Sequence, residues 1–210
     1  MSRRPLRRFL ARRFLSLTGW KPDGRRPEAR RFVLIAAPHT TNWDFPYLLA
    51  FAAHFDVQIS WMGKDTLFRW PFGGVMRALG GVPVRRDRKE NLVSAMARTF
   101  EAHSDLGLVV PAEGTRSHVD YWRSGFYHIA TMARVPIVMS YLDYARKVGG
   151  FGPAFMPSGD IPKDMGIIRR FYAGRQGRFP ERFGRIRLRE EDHGPPGAPG
   201  SPGSGRPEVL

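Results

Sequence analysis

Residues 31–44 have the sequence RFVLIAAPHTTNWD, and the fold of the chain is best predicted from them. An unbroken apolar run at residues 32–37 predicts a buried strand, which Pro38 ends. Two threonines and an asparagine follow at residues 40–42, and these residue types cap helix N-termini. The stretch therefore predicts a strand, a turn and a helix that begins at about Trp43.

His39 and Asp44 are the two residues in this stretch that can carry chemistry. His39 lies where the chain leaves the predicted strand, and Asp44 lies in the first turn of the predicted helix. Ligands of open α/β sheets bind at the carboxyl ends of strands, so both side chains are expected at a crevice. A carboxylate on one imidazole nitrogen would leave the other nitrogen free to take a proton from a hydroxyl. A histidine with only a structural hydrogen bond is the alternative, and this stretch alone leaves it open.

A second unit of the same form has the sequence LGLVVPAEGTRS at residues 106–117. Its apolar half predicts a buried strand, and its polar half predicts a tight turn at the end of that strand. Gly114 permits an unusual backbone angle or a close approach of a ligand. Thr115, Arg116 and neighbouring amide groups are suited to holding a phosphate. Glu113 is expected to accept a hydrogen bond from a substrate hydroxyl or to brace an arginine.

The rest of the chain continues the alternation of strands and helices. This alternation predicts an α/β fold with a mainly parallel central sheet flanked by helices. Residues 66–79 are the most apolar part of the chain, which predicts core packing with a share that lines a pocket for an apolar chain. Further strands are expected at 57–62, 80–87, 135–141 and 148–155, and helices at 43–54, 90–103, 121–134 and 161–176.

The net charge of +15 comes mostly from arginine and favours an anionic partner, although a solvated basic surface is the alternative. Arg85 and Arg86 end a predicted short strand, and their forked donors match phosphate oxygens. The chain has no cysteine, which excludes disulfides, thiolate metal sites and a thiol nucleophile. No metal site is predicted, because His39 and Asp44 supply too few ligands and the other histidines lack ligand spacing.

Residues 2–20 predict a basic amphipathic helix, since leucines and phenylalanines recur at helical spacing among arginines. Such a helix either lies on an anionic membrane surface or packs on the domain with its arginines in solvent. No membrane-spanning segment or signal peptide is predicted. The expected organisation is a membrane-surface helix at 1–20, a catalytic domain at 21–190 and a disordered tail rich in Pro, Gly and Ser at 191–210.

Four blocks of this sequence, in order, resemble motifs of the glycerolipid acyltransferases, the family of 1-acyl-glycerol-3-phosphate acyltransferase. The first is its His-x4-Asp motif, and the second and third are its Gly-x-x-x-x-Arg and Phe-Pro-Glu-Gly-Thr-Arg-Ser motifs. The last is its proline-containing motif. These blocks lie here at residues 39–44, 81–86, 111–117 and 135–138. Ala112 departs from the family's Pro, at a position expected to affect packing rather than chemistry.

The resemblance implies an acyltransferase in which His39 takes the proton of an acceptor hydroxyl and Asp44 orients the ring. The acyl donor would be acyl-CoA or acyl carrier protein, with no other cofactor, and the acceptor a lysophospholipid such as 1-acyl-glycerol-3-phosphate. The acceptor phosphate would be held by Arg85, Arg86, Thr115 and Arg116, with Lys64 a further candidate and Glu113 and Gly114 shaping the site.

A cytoplasmic enzyme is expected, peripheral on the inner face of the membrane through residues 2–20. The resemblance leaves another lipid or glycolipid acceptor open. A hydrolase that uses the same pair on water, a non-catalytic lipid-binding relative and a basic nucleic-acid-binding protein are the remaining alternatives. The last is disfavoured because the arginines are not interleaved with aromatics in a known nucleic-acid-binding pattern.

Overall fold

The computed structural model describes residues 4–84 and 92–192 of the chain. Within them, seven strands form one sheet in the order β1-β7-β6-β2-β5-β3-β4. The strands are β1 (Lys21–Gly24), β2 (Arg31–Ala36), β3 (Ile59–Lys64), β4 (Gly81–Val84), β5 (Leu106–Val110), β6 (Ile137–Asp143) and β7 (Val148–Phe155). The five strands from β6 to β4 are parallel, whereas β7 pairs antiparallel with β6 and β1 pairs parallel with β7. The predicted α/β fold with a mainly parallel sheet is confirmed.

Helices cover both faces of the sheet. They are α1 (Arg4–Leu17), α2 (Asp44–His54), α3 (Gly73–Ala78), α4 (Leu92–Ala102), α5 (Gly125–Ala133) and α6 (Ile161–Tyr172), with short 3-10 turns at Asp65–Phe68, Pro180–Arg182 and Arg189–Asp192. Strand β2 shows how the faces divide, because its residues alternate between two cores. Val33 and Ile35 pack with side chains of α4, α5 and α6. Phe32 and Leu34 pack with α2 on the opposite face.

Several boundaries differ from the sequence-based expectation. Residues 21–24 lie outside the strands expected from sequence, but they form the edge strand β1, which is held by its backbone pairing with β7. Helix α5 begins four residues after the expected start at 121, since the backbone of Trp122 pairs with Leu188 instead. Helix α6 ends at Tyr172 rather than near 176, because the chain turns at Gly174, where φ is +74°.

The predicted N-terminal amphipathic helix is present as α1, and one side of it packs on the domain. Ala11 and Leu15 are buried against α2, and Trp20, just after the helix, is buried with them. Leu6 and Leu10 are among the apolar side chains of α1 that remain exposed. Within the described residues, no helix is long and apolar enough to cross a bilayer.

Candidate active site

The parallel strands bring three polar turns to one edge of the sheet. Strand β5 lies beside β2, and β6 lies on the other side of β2. The turns that follow these strands therefore converge around the end of β2. His39 follows β2, Glu113 follows β5 and Tyr144 follows β6. Sequence reasoning identified the first two turns and missed the third.

His39 and Asp44 are in contact, as the sequence predicted. The Nδ1 atom of His39 lies 3.1 Å from Asp44 Oδ2. Asp44 Oδ2 also accepts hydrogen bonds from the backbone N–H groups of Thr40 at 2.9 Å and Thr41 at 3.0 Å. A carboxylate oxygen that receives these donors is an acceptor, so the imidazole proton is assigned to Nδ1 and the lone pair to Nε2. No described residue forms a hydrogen bond with Nε2, which leaves it available to a substrate hydroxyl.

The start of α2 differs from the expected cap. Residues 40–42 were expected to cap the helix, but the N-cap residue is Trp43, and it forms no side-chain cap. The carboxylate of Asp44 instead reaches back to the amides of the preceding turn. This arrangement buries the carboxylate, whose side chain is 8% exposed, beside an imidazole that is 21% exposed. The turn therefore holds Asp44 as a fixed acceptor rather than leaving it free in solvent.

Tyr144 is a partner of the His39–Asp44 pair that sequence reasoning missed. Its hydroxyl donates to Asp44 Oδ1 at 2.8 Å, the oxygen that His39 does not use. Burial and the negative charge of Asp44 raise the pKa of Tyr144 far above its ordinary value, so the hydroxyl remains a donor. The available signal was position, since Tyr144 follows the strand next to β2 at the same sheet edge.

Glu113 contacts the main chain of His39 rather than its imidazole. Its side chain is buried, and Oε1 accepts the backbone N–H of His39 at 2.6 Å. Burial raises the pKa of Glu113 to about 8, the charge of Asp44 acts in the same direction, and the bond from His39 N–H opposes both. In the described part of the chain, Oε2 has no hydrogen-bond partner. The geometry thus assigns Glu113 to holding the His39 main chain, and no described arginine pairs with its carboxyl group. The expected contact with a substrate hydroxyl stays a prediction.

The three residues after Glu113 form the other wall of the site. Gly114 has φ of +71°, and a Cβ there would meet the side chain of Arg123 at 2.9 Å, so glycine is required by both conformation and space. Thr115 and Arg116 are exposed and line the same cavity as His39. Among the described residues, Arg116 has no ion-pair partner. An unpaired guanidinium in this position is suited to an anionic group of a ligand.

The cavity next to His39 has a volume of about 700 Å³ and a polar mouth with an apolar interior. The lining residues exposed to solvent, which form its mouth, include Asn42 and Arg116, with the partly buried His39 beside them. The interior extends between α2 and the sheet. Apolar side chains from α2, β5, β6 and β7 line it, among them Phe45, Leu48, Phe51, Val109, Leu142 and Phe151. Met76 and Leu67 also line it, which agrees with the expectation that part of residues 66–79 faces a pocket. The shape and lining suit a ligand with a charged head and a long apolar chain.

The remaining predicted cations are only partly described. Lys64 is the last residue of β3, so its backbone lies at the same sheet edge as His39. Arg85 and Arg86 lie outside the described residues, directly after β4. Across residues 4–84 and 92–192, no group of three or more His, Asp or Glu side chains is arranged to hold a metal ion.

Comparison with known proteins identifies the family. The Acyltransferase family model matches residues 23–142, more than half of the chain, and this range contains the turns of His39 and Glu113. The fold is similar to the crystal structure of the 1-acyl-sn-glycerophosphate (LPA) acyltransferase PlsC from Thermotoga maritima. The TM-score is 0.56 at 17% identity, over 80% of this chain and 78% of that one. No curated protein matches the sequence significantly. The resemblance seen in the four sequence blocks is confirmed, and the chain belongs to the Acyltransferase family.

Proposed function

We propose that this acyltransferase moves a fatty acyl group from a thioester, acyl-CoA or acyl carrier protein, to a hydroxyl of a lysophospholipid such as 1-acyl-glycerol-3-phosphate. The observation that carries the proposal is the free Nε2 of His39 at the wall of a cavity with an apolar interior and Arg116 at its mouth. A base, an anion-binding side chain and a chain-sized apolar space are the three features this reaction needs.

The reaction follows from the direction of the hydrogen bonds. Nε2 of His39 takes the proton of the acceptor hydroxyl, and the oxygen attacks the thioester carbonyl. The C–S bond then breaks, the new ester remains on the acceptor, and the thiolate takes the proton back from the imidazolium. The carboxylate of Asp44 stabilises that imidazolium through Nδ1. No acyl-enzyme is proposed, and the reaction draws on no metal or further cofactor.

The acceptor is proposed from its charge. The phosphate would lie against Thr115 and Arg116, and we propose Lys64, Arg85 and Arg86 as further phosphate-binding residues. Gly114 lets the backbone approach, and Glu113 positions His39 from behind. The similarly folded protein acts on a 1-acyl-sn-glycerophosphate, which supports the same acceptor class here.

The test is incubation of the purified protein with an acyl thioester and a panel of lysophospholipids and glycolipids, with products identified by mass. We expect a diacyl product with the phosphorylated lysolipid and stoichiometric release of free thiol. Free fatty acid as the main product would instead favour the hydrolase. No turnover with any acceptor would contradict the proposal.

We also propose that residues 2–20 bind an anionic membrane surface, which would place the enzyme peripherally on the inner face. The exposed side of α1 carries Leu6 and Leu10 together with arginines, which is the composition of an interfacial helix. Deleting the whole segment would remove Ala11, Leu15 and Trp20 from the core. The appropriate variant is therefore Leu6→Ser with Leu10→Ser, which we expect to weaken binding to anionic vesicles at unchanged thermal stability. Unchanged vesicle binding would remove α1 from the membrane contact.

A further inference from the structure

A second group of exposed apolar side chains lies in the segment that joins β3 to β4. Trp70 is 93% exposed and Phe72 is 66% exposed. We call the group the β3–β4 apolar surface; it consists of Leu67, Trp70, Phe72, Val75 and Leu79, all exposed. Burial of one such side chain is worth about 1.5–3 kcal/mol, so a cluster left in water indicates a surface with a partner.

The segment beneath this surface is anchored to the domain. Phe68 is buried and its ring packs near Trp61, with centroids 5.9 Å apart. The backbone N–H of Gly73 donates to the carbonyl of Arg69 at 2.8 Å, and Gly73 itself is buried. Phe68 and Gly73 are both buried and fix the segment to the domain, while Trp70, Phe72 and Val75 remain exposed.

The charges within the segment indicate the chemistry of the partner. Arg69 and Arg77 are exposed among the apolar side chains, and the guanidinium of Arg77 also donates to the carbonyl of Phe68 at 3.4 Å. Arg69 lies 3.7 Å from Asp65, but an ion pair between exposed groups is weak and leaves the guanidinium available. Tryptophan and phenylalanine beside arginine is the composition that enters the headgroup layer of an anionic bilayer, with rings at the acyl boundary and cations on the phosphates.

The surface is continuous with the cavity of the candidate site. Leu67 belongs to the exposed group and also lines the cavity, and Met76 of α3 lines it from the same segment. If the β3–β4 apolar surface is in contact with lipid, an apolar chain can enter the cavity past Leu67 with little or no exposure to water. This continuity favours a bilayer over a soluble protein as the occupant.

We propose that the β3–β4 apolar surface docks on an anionic lipid bilayer, so that the cavity faces the bilayer. This contact is separate from that of α1. The docking itself does not depend on the reaction, whereas the route for the acyl chain rests on the proposed function. Trp70 and Phe72 insert as anchors, Arg69 and Arg77 bind headgroup phosphates, and a lipid substrate passes along Leu67 to His39.

The test is vesicle sedimentation of the full-length protein with the paired change Trp70→Ser and Phe72→Ser. Neither residue lines the cavity. The vesicles contain equal parts of phosphatidylcholine and phosphatidylglycerol. We expect the partition coefficient to fall about tenfold or more, since two large apolar anchors are lost. The matched control is Met132→Ser with Met156→Ser, two apolar side chains that are each 55% exposed on other elements; its partition coefficient should stay within about twofold of wild type.

Turnover separates this proposal from the proposed reaction. With a short-chain thioester and a short-chain 1-acyl-glycerol-3-phosphate, both water-soluble, the Trp70/Phe72 variant should match wild type, while turnover of vesicle-bound lysolipid should fall with the partition coefficient. If no protein transfers the acyl group, the reaction is wrong and the sedimentation result still decides the docking. Unchanged sedimentation would overturn the proposal. Light scattering provides a second check. A dimeric wild type together with a monomeric variant that binds vesicles as well as wild type would also overturn the proposal, because the partner of the surface would then be a second copy of the chain.

Discussion

The hydroxyl of Tyr144 donates to Asp44 Oδ1 at 2.8 Å, while Oδ2 of the same carboxylate receives His39 and two backbone amides. Asp44 is the acceptor in all four hydrogen bonds, so its negative charge is shared between the imidazole and three other donors. The ring of Tyr144 also packs edge-on against Trp20, with centroids 4.9 Å apart. The His39–Asp44 pair is thus supported by the segment that follows α1 as well as by its own turn.

We expect Tyr144→Phe to change how strongly Asp44 acts on His39. Without the Tyr144 donor, the negative charge of the Asp44 carboxylate acts more strongly on the imidazolium and stabilises it. The acidic limb of the kcat/KM profile should therefore move to higher pH by about half a unit or more. The measurement is the pH dependence of acyl transfer. Tyr127→Phe is the matched control, because its hydroxyl also donates to a buried carboxylate, Asp164, at 2.8 Å, but on another part of the domain. An unshifted Tyr144→Phe profile would contradict the assigned role.

Asp44→Asn should lower kcat by about 100-fold or more. The asparagine amide keeps one acceptor oxygen and replaces the other with an NH₂ donor. In either orientation this NH₂ group faces another donor, either the hydroxyl of Tyr144 or His39 with the amides of Thr40 and Thr41. The imidazolium also loses its counter-charge. Steady-state kinetics on the folded variant, with fold checked by circular dichroism, provides the test. A variant that turns over at the wild-type rate would show that Asp44 only shapes the turn.

The local contact of His39 with Asp44 could be predicted from sequence because it lies within one turn. The convergence with the turn of Glu113 could be predicted because the carboxyl ends of parallel strands share an edge. The role of Glu113 could not, since its burial behind the His39 main chain depends on packing across the sheet. Strand β1 was missed for a related reason: its residues are polar and exposed, and only backbone pairing with β7 makes them a strand.

The raised pKa of Glu113 predicts a specific dependence of stability on pH. Between the ordinary carboxyl pKa and about 8, the folded state keeps a proton that the unfolded state has lost. The contribution is therefore fully present below the unfolded pKa and is lost as pH rises through the folded pKa, with a slope of at most about 1.4 kcal/mol per pH unit. Glu113→Gln stays neutral, so its stability relative to wild type should increase from about pH 5 to about pH 8.

Urea unfolding across that range measures the difference in the free energy of unfolding between Glu113→Gln and wild type. The control is Glu101→Gln, an exposed position on α4, for which the difference should stay constant with pH. A pH-independent difference for Glu113→Gln would mean that the carboxyl group is ionised in the fold.

Arg116→Ala should raise the KM of a phosphorylated acceptor by about tenfold or more and leave kcat nearly unchanged, because a charged hydrogen bond is worth about 1.5–3 kcal/mol. A monoacylglycerol acceptor, which lacks the phosphate, should show no such change. Arg98→Ala, at an exposed position on α4, controls for loss of positive charge. Equal effects on both acceptors would show that Arg116 does not recognise the phosphate.

The role of His39 as the base is tested by acyl transfer with His39→Ala, in which the ester product is identified by its mass. Because the proposed mechanism removes the proton through Nε2 of His39, we expect kcat to fall by about 100-fold or more while circular dichroism and thermal stability remain those of the folded protein. Ester formation within a few-fold of the wild-type rate would contradict the account, since another group would then have to take the proton.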